Sequence, residues 1–355
     1  MPLRILNIAF PLAPASPDAV GGAEQVLAVL DRALVAEGHT SLIVAAEGSE
    51  TAGRLWSVPV PRRDVLSEED GRFVRGQMQA ALDRVLASER VDLVHMHGLD
   101  FFEYRLPANL PVLVTLHLPV AWYAPKAWSA TGANFQFCCV SQAQRSAAPP
   151  SLHGCAVVEN GIALPPFDAG GGREGYALAM GRICPEKNQH TALEAGTRAG
   201  VPVYLAGKIF PYREHRDYFE KKIQPLLNAP NPGHRFLGPL TLERKQRLLA
   251  RARCLLHPTL APETSSLVAM EALAAGTPVI AYRSGALPGI VEHDRTGFLV
   301  GSAEEMAAAM GALDRISPLD CRAAAEQRFT RERMVRDYFE LYRKLTSTLR
   351  EPVYA

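Results

Sequence analysis

Short apolar segments alternate with helical patterns along this chain, and the alternation occurs twice. The first set of predicted strands is "LRILNIAF", "HTSLIVAA", "VDLVHMH", "PVLVTLHL" and "FQFCCVS", and the second is "YALAMGRI", "PVYLAGK", "HRFLG", "RCLLHPT" and "TPVIAYR". Short runs that are apolar throughout are typical of parallel strands buried on both faces. The pattern therefore predicts an α/β fold with two doubly wound, Rossmann-like domains that face a cleft.

Helical patterns lie between these strands. The stretch "GGAEQVLAVLDRALVAEG" places Val26, Leu27, Leu30 and Leu34 on one face of a helix. In the second half, helices are predicted at His190–Ala199, Arg213–Leu227, Leu242–Ala252 and Ser266–Ala275.

A segment without periodicity separates the two sets. Residues 163–175, "ALPPFDAGGGREG", join a proline pair to a glycine run and are typical of a linker. We therefore predict a first domain over residues 1–165 and a second over residues 170–336. The last helical pattern, "TRERMVRDYFELYRKLTSTLR", predicts a C-terminal helix that crosses back, so that residues 337–355 complete the first domain.

Composition argues against several classes of partner and location. The 355 residues carry a net charge of +1, which gives no basic field for nucleic acid. Six cysteines show no C-x-x-C spacing, so neither a disulfide framework nor a zinc site is indicated, and a reducing cytoplasm is expected. No apolar run of about 18 residues occurs, and the N-terminus lacks a signal-peptide pattern, so neither a transmembrane segment nor secretion is expected.

The stretch "APETSSLVAMEALAAGTPVIA" contains two glutamates, one in a loop after a predicted strand and one inside the following helix. Thr264, Ser265 or Ser266 is expected to be the N-cap of that helix. A helix start at the carboxyl end of a strand can bind an anion, and the carboxylates of Glu263 and Glu271 can accept hydrogen bonds from hydroxyls. The ligand indicated carries phosphate and sugar hydroxyls. A structural ion pair between Glu271 and an arginine of the second domain is the alternative, and spacing alone leaves both open.

Polar residues and glycines follow other predicted strands. Arg182 and Lys187 stand where a phosphate-binding loop needs cations, although a lone basic pair is more often part of a solvated loop. Gly21 and Gly22 open a helix without the dinucleotide fingerprint, which counts against a nicotinamide enzyme. Three histidines lie at the ends of two predicted strands. They do not have the spacing of metal ligands and are expected to form hydrogen bonds in the cleft. These are His95, His97 and His117.

These motifs together resemble the retaining, nucleotide-sugar-dependent glycosyltransferases of glycosyltransferase family 4, which have the GT-B fold. The resemblance runs from "GGAEQV" through "VDLVHMHG", "TLHLP", "VVENGI", "MGRICPEKN" and "FLGPL" to "PETSSLVAMEALAAGTPVIAYRSGALPGIVEHDRTGFLV". It implies a cytoplasmic enzyme of carbohydrate biosynthesis, of the hexosyltransferase type. It also implies a nucleotide-diphosphate sugar as donor and neither a metal nor another cofactor.

The resemblance also implies roles for single residues. Arg182 and Lys187 match the cations that hold the donor diphosphate, and Glu271 matches the glutamate that accepts hydrogen bonds from the ribose hydroxyls. Glu263 matches the residue that contacts the transferred sugar, and His117 the histidine near the reacting carbon. The expected catalytic residues are therefore His117, Arg182, Lys187 and Glu263. Donor binding is also expected to involve Gly21, Gly22, Thr264, Ser265, Ser266, Leu267 and Glu271.

The sequence departs from the family pattern at two places. "TSSL", residues 264–267, replaces the common Pro-Phe-Gly-Leu, which makes the pocket wall smaller and more polar, and Gly289 stands where a glutamate is frequent. The first departure leaves the identity of the donor open.

The acceptor is expected on the first domain, near His97 and the loop "LPVAWYAPKAW". Trp122, Tyr123 and Trp128 in this loop are candidates for stacking on a sugar, although core packing is the commoner role of such aromatics. The acceptor stays open among a carbohydrate, a lipid-linked compound and a small molecule with a hydroxyl group. The basic run "ERKQRLLARAR" is interpreted as a solvated helix face, with a peripheral membrane contact as the alternative.

Chemistry follows from these residue types. No carboxylate pair at the spacing of a double-displacement glycosidase is recognisable, so front-face displacement with retention is expected. Two other function classes stay open, because one fold can host several activities. The first is a nucleotide-sugar epimerase or hydrolase, and the second is a non-catalytic protein that binds sugar nucleotides.

Overall fold

The computed structural model describes residues 2–61, 67–129, 132–168 and 172–348. The chain divides into two compact units. The first runs to Asn160 and resumes at Glu332, and the second is Gly161–Arg331. The sequence predicts the junction between the two domains at 165–170 and the return of the chain to the first domain near 337. Both predicted positions lie a few residues after the observed boundaries. Residues 169–171 of the predicted linker and 349–355 of the predicted C-terminal segment lie outside the described part.

The sheet of the first unit has seven parallel strands in the order β3-β2-β1-β4-β5-β6-β7. All five predicted strands are present. Two more were not predicted, because one is a half-exposed edge strand and the other has only two residues. The strands are β1 (Arg4–Ile8), β2 (Thr40–Ala46), β3 (Arg54–Val58), β4 (Leu93–Met96), β5 (Val112–Leu116), β6 (Phe135–Cys139) and β7 (Ala156–Val157). The helices are α1 (Gly22–Ala36), α2 (Glu68–Ser88) and α3 (Gln142–Ser146).

The sheet of the second unit has six parallel strands in the order β10-β9-β8-β11-β12-β13. They are β8 (Ala177–Met180), β9 (Val203–Ala206), β10 (Arg235–Gly238), β11 (Leu255–His257), β12 (Val279–Tyr282) and β13 (Gly297–Val300). Its helices are α4 (Gln189–Ala199), α5 (Arg213–Tyr218), α6 (Gln224–Asn228), α7 (Leu242–Arg251), α8 (Leu267–Ala274), α9 (Leu287–Ile290), α10 (Ala303–Gly311) and α11 (Pro318–Arg328). A π turn over Phe219–Ile223 joins α5 to α6, where the sequence predicts one helix.

The last helix, α12 (Arg331–Thr348), belongs almost entirely to the first unit. Met334, Tyr338 and Tyr342 follow one another at a spacing of four residues, so they share one face of the helix, and all three are fully buried in a core cluster of that unit. The Tyr342 hydroxyl also lies 2.7 Å from Nδ1 of His95. The predicted return of the C-terminal helix to the first domain is confirmed, and so is the doubly wound α/β class.

The order of strands reverses once in each sheet, between β1 and β4 and between β8 and β11. In open parallel sheets, ligands bind at such a switch point, outside the carboxyl ends of the strands. The loops that leave β1, β4, β8 and β11 are therefore where functional residues are expected. In the described part of the chain, none of the helices is both long enough and apolar enough to span a bilayer.

Candidate active site

The loop that leaves β8 carries Arg182. Its guanidinium lies 3.3 Å from Oε1 of Glu186, and its carbonyl oxygen accepts a hydrogen bond of 2.6 Å from the Gln189 amide. Asn188 has a left-handed backbone with φ of 55° and donates its side-chain amide to the carbonyl of Pro258, at 3.0 Å. These bonds fix the loop against the residue that follows β11, so Arg182 is held at the switch point of the second sheet.

Glu263, in the loop after β11, is held by two groups. Its Oε1 atom accepts a hydrogen bond from the Lys187 ammonium and lies 3.2 Å from Nε2 of His257, the last residue of β11. Burial acts to raise the pKa of Glu263, but the Lys187 charge and the His257 hydrogen bond outweigh it and lower the pKa to about 2. The carboxylate is therefore ionised at neutral pH and accepts hydrogen bonds rather than donating a proton.

The backbone of Glu263 rests on the loop that follows β12. Gly285 has φ of +56°, and a Cβ atom there would lie 2.1 Å from the Glu263 carbonyl oxygen, so only glycine fits. The same oxygen accepts a hydrogen bond of 2.7 Å from the Ala286 amide. The residues "SGA" of the loop after β12 thus hold the backbone of Glu263 in place through a close contact and a hydrogen bond.

Helix α8 begins directly after the loop that carries Glu263. Ser266 takes the N-cap position, but its side chain makes no capping bond and its hydroxyl lies 3.3 Å from Nε2 of His257. The buried hydroxyl of Ser265 has no hydrogen-bond partner among the described residues. Thr264 is buried as well, and Leu267 is the first helical residue. The amides of the first turn carry no side-chain cap, which leaves them able to bind an anion.

Glu271 lies one turn inside α8 and forms an ion pair with Lys245 of α7. The Lys245 Nζ and Glu271 Oε1 atoms are 2.5 Å apart, and both side chains are mostly buried. The partner is a lysine, whereas the sequence alternative was an arginine. The interpretation of the basic run as a solvated face is wrong for Lys245, because this residue precedes the buried Leu249 by one turn and shares its face.

Gly21 and Gly22 begin α1 after the first strand. Gly21 is the N-cap residue and Gly22 is the first helical residue. A Cβ atom on Gly21 would lie 1.9 Å from the carboxylate of Glu24, so that carboxylate packs against the start of the helix where a side chain would otherwise stand.

His97 and His117 follow β4 and β5 and meet each other. Nδ1 of His97 lies 3.0 Å from Nε2 of His117, so one ring donates a proton and the other accepts it. Burial lowers the pKa of His117 to about 4, and burial together with the neighbouring imidazoles lowers the pKa of His97 well below its usual value. The ring centre of His95 lies 4.0 Å from that of His97, but its two nitrogens form hydrogen bonds with Tyr342 and Thr115.

The aromatic residues of the predicted acceptor loop have different environments. Tyr123 is 4% exposed, its hydroxyl accepts a hydrogen bond from the Leu118 amide, and its ring centre lies 5.7 Å from that of Trp128. Tyr123 and Trp128 therefore pack inside the first unit. Trp122 is 46% exposed, which leaves its ring accessible to a ligand.

One group of side chains in the described residues has the spacing of metal ligands. Ligand atoms of Cys184, Glu186 and His215 lie within 4.8 Å of one another. The Arg182 guanidinium contacts the same Glu186 carboxylate and competes with a cation for it. That the chain works without a metal remains a prediction.

Sequence reasoning missed two residues of this site, His257 and Lys245. The histidine ends a buried strand, and a polar residue in that position is a signal that it faces the crevice at the carboxyl edge. Lys245 precedes the apolar Leu249 by four residues, and this spacing indicates that both lie on the same face of the helix. All eight donor-side residues predicted in the second unit lie in the loops after β8 and β11 or in α8. The first unit holds Gly21, Gly22, His97, His117, Trp122 and Tyr123.

Two family assignments cover most of the chain. Residues 20–162 match the family described as Glycosyltransferase Family 4, and residues 170–327 match the family described as Glycosyl transferases group 1. The chain belongs to the family 4-like glycosyltransferases. The family predicted from the motifs is thereby confirmed.

Among curated proteins, this chain is similar to the glycogen synthase of Mycobacterium tuberculosis. The two are 34% identical over 207 residues, which is 53% of this chain and 46% of the relative. The chain thus spans about half the length of the curated relatives it matches.

Solved structures with the same fold cover nearly all of this chain. Sucrose-phosphate synthase from Thermosynechococcus elongatus has a TM-score of 0.78 at 19% identity, over 97% of this chain and all of that one. Anabaena HepE in complex with UDP-glucose has a TM-score of 0.73 at 18% identity, over 96% of this chain and 99% of the other. The predicted GT-B fold is confirmed.

The buried histidines of the first unit generate a prediction about acid stability. In the unfolded chain imidazoles take up a proton near pH 6.5, whereas His95, His97 and His117 resist protonation when folded. The unfolded state therefore binds more protons below about pH 6.5, and the free energy of unfolding falls as the pH drops towards 4. Urea denaturation at pH 7 and pH 5 measures this drop, which we expect to be smaller in the His97→Gln variant.

His153→Gln is the matched control, because it changes an exposed histidine of the same unit. The free energy of unfolding could instead fall equally between pH 7 and pH 5 in the wild type, His97→Gln and His153→Gln. That result would contradict a lowered pKa of His97 as a cause of the acid sensitivity.

Proposed function

We propose that this chain is a retaining glycosyltransferase that moves a sugar from a nucleotide-diphosphate sugar to a hydroxyl acceptor by metal-independent, front-face displacement. The observation that carries the proposal is the cluster of Lys187, Glu263 and His257 beside Arg182 and the uncapped start of α8. This cluster combines donors for a diphosphate with an ionised acceptor for sugar hydroxyls at one switch point.

The donor diphosphate is proposed to bind Arg182, Lys187 and the first amides of α8. A lysine ammonium has three N–H donors, so Lys187 can keep its bond to Glu263 and still reach a phosphate oxygen. A guanidinium can donate two parallel hydrogen bonds to one phosphate. The helix start adds partial positive charge without any change in protonation.

The reaction breaks the bond between the anomeric carbon and the diphosphate oxygen, and the electron pair leaves with the diphosphate. Negative charge then grows on the leaving group, so a site that binds the diphosphate more tightly in the transition state lowers the barrier. The acceptor hydroxyl attacks the anomeric carbon on the face that the diphosphate leaves. Its proton passes to a phosphate oxygen, so no protein base is needed.

Glu263 is proposed to orient the transferred sugar rather than to attack it. A pKa of about 2 makes the carboxylate a weak base, and Lys187 and His257 already occupy one of its oxygens. The buried hydroxyl of Ser265 is a second group that can bond a sugar hydroxyl. Neutral His117 is proposed to lie near the reacting carbon, and Trp122 to contact the acceptor.

The donor is proposed to be a UDP-, GDP- or ADP-sugar. Anabaena HepE has been solved with UDP-glucose, which supports a uridine nucleotide as the first candidate. The acceptor is proposed to carry a free hydroxyl group, as a carbohydrate, a lipid-linked sugar or a small molecule.

Removal of the Lys187 charge should abolish most of the transfer. We expect Lys187→Ala to lower kcat/KM by about 100-fold or more, since a group that stabilises developing charge contributes about that much. Lys187→Arg, which keeps the charge, should retain more activity than the alanine variant. Initial rates of transfer, with the donor identified by the thermal-shift screen, measure the activity of both variants.

Lys221→Ala serves as the control, because Lys221 is an exposed lysine that pairs only with Asp217 among the described residues. The thermal unfolding midpoint of each variant separates loss of chemistry from loss of fold. Activity of Lys187→Ala equal to that of the wild type would refute the role of the lysine.

A donor screen tests the class of reaction. UDP-, GDP- and ADP-sugars are compared by thermal shift, and we expect one base to raise the unfolding temperature, because a ligand that binds only the folded state stabilises it. Mass spectrometry should then detect a glycosylated acceptor, at a rate that a chelator does not change. An epimerised donor, or free sugar without an acceptor product, would favour an epimerase or a hydrolase instead.

A further inference from the structure

The ion pair between Lys245 and Glu271 is not explained by stability alone. Their charged atoms are 2.5 Å apart, and the two side chains are 18% and 17% exposed. Taking two charges out of water costs several kcal/mol for each ion, and their attraction often only offsets that cost. Two packed apolar residues at this junction of α7 and α8 would hold the helices at least as well. The pair therefore calls for a reason other than helix packing.

Both members of the pair have unused hydrogen-bonding capacity. Lys245 bonds only Oε1 of Glu271, and in the described part of the chain no donor reaches Oε2 and no second acceptor reaches the ammonium. The carboxylate is thus held through one oxygen and open at the other. The free oxygen Oε2 has two lone-pair sites, so it can accept one hydrogen bond from each hydroxyl of a vicinal diol.

The pair also balances the charge of the site. Arg182, Lys187 and Lys245 supply three positive charges, and each contacts one carboxylate, that of Glu186, Glu263 or Glu271 respectively. Without Lys245 the carboxylate of Glu271 would stand uncompensated one turn from the start of α8. A negative charge there opposes the binding of a diphosphate at the helix start.

We propose that Lys245 is a positioning residue for the ribose of the donor: it fixes Glu271 through Oε1 so that Oε2 accepts hydrogen bonds from the ribose hydroxyls. This inference rests on the proposed function, because it requires that a nucleoside diphosphate binds at this site. It adds a third cation to the donor site, on a helix that the motifs do not mark. Lys245 acts through Glu271 and needs no contact with the nucleotide itself.

Calorimetry with nucleoside diphosphates tests the inference. UDP, GDP and ADP are first titrated into the wild type, and the one that binds is then compared with its 2′,3′-dideoxy form. We expect Lys245→Met to weaken the binding of the ribonucleotide about tenfold or more, since a well-oriented hydrogen bond to a charged group contributes at least that factor. The dideoxy form should lose much less affinity than the ribonucleotide, because only the effect of the uncompensated Glu271 charge on the diphosphate remains.

A double-mutant cycle separates positioning from direct contact. If Lys245 acts through Glu271, then Lys245→Met should add almost nothing in a Glu271→Gln background. Lys245→Gln, which keeps a hydrogen-bond donor but not the charge, is a second variant in case the methionine variant does not fold. Arg244→Met is the matched control, because Arg244 is the neighbouring exposed cation of the same helix and should leave binding unchanged.

Three results would overturn the inference. Equal losses for the ribose and dideoxy nucleotides would show that Lys245 contacts another part of the ligand or only stabilises the fold. Unchanged affinity would show that Glu271 needs no positioning, and tighter binding would show that the ion pair blocks the site. If none of the three nucleotides binds the wild type, the proposed function itself fails, which distinguishes that failure from a failure of the lysine alone.

Discussion

A buried carboxylate shared between a lysine and a histidine organises the candidate site. Glu263 is placed in a loop where burial alone would favour its neutral form, and Lys187 and His257 keep it ionised. The same lysine belongs to the loop that carries Arg182, so one interaction ties the two loops of the switch point together. If that carboxyl group were neutral, it would be a weaker acceptor for sugar hydroxyls, and Lys187 would lose the charged partner that orients it.

The fold supplies this arrangement through contacts to two backbone carbonyl groups, those of Pro258 and Glu263. Asn188 in a left-handed conformation fastens the β8 loop to Pro258, and Gly285 lets the β12 loop approach the carbonyl of Glu263. Both positions demand a residue that tolerates an unusual backbone or has no Cβ atom. A second glutamate, Glu271, is compensated from a different helix, so each of the two carboxylates has its own lysine.

The doubly wound fold and the motif residues of the second unit could be read from the sequence, because both depend on local patterns. Buried parallel strands show as apolar runs, and loops at their carboxyl ends show as clusters of Gly, Pro and charge. The partners of these residues could not be read in the same way. Lys245 is 26 positions from Glu271, and only the packing of α7 on α8 brings them together. The burial of Tyr123 beside exposed Trp122 likewise depends on how a turn folds onto Phe101 and Trp128.

The cluster around Glu263 is proposed to support transfer with retention of configuration. Proton NMR of the product formed from an α-linked nucleotide sugar measures the anomeric configuration directly, because a glycosidic linkage does not mutarotate. Front-face displacement predicts an α-linked product. A β-linked product would contradict front-face displacement and would require a different role for Glu263.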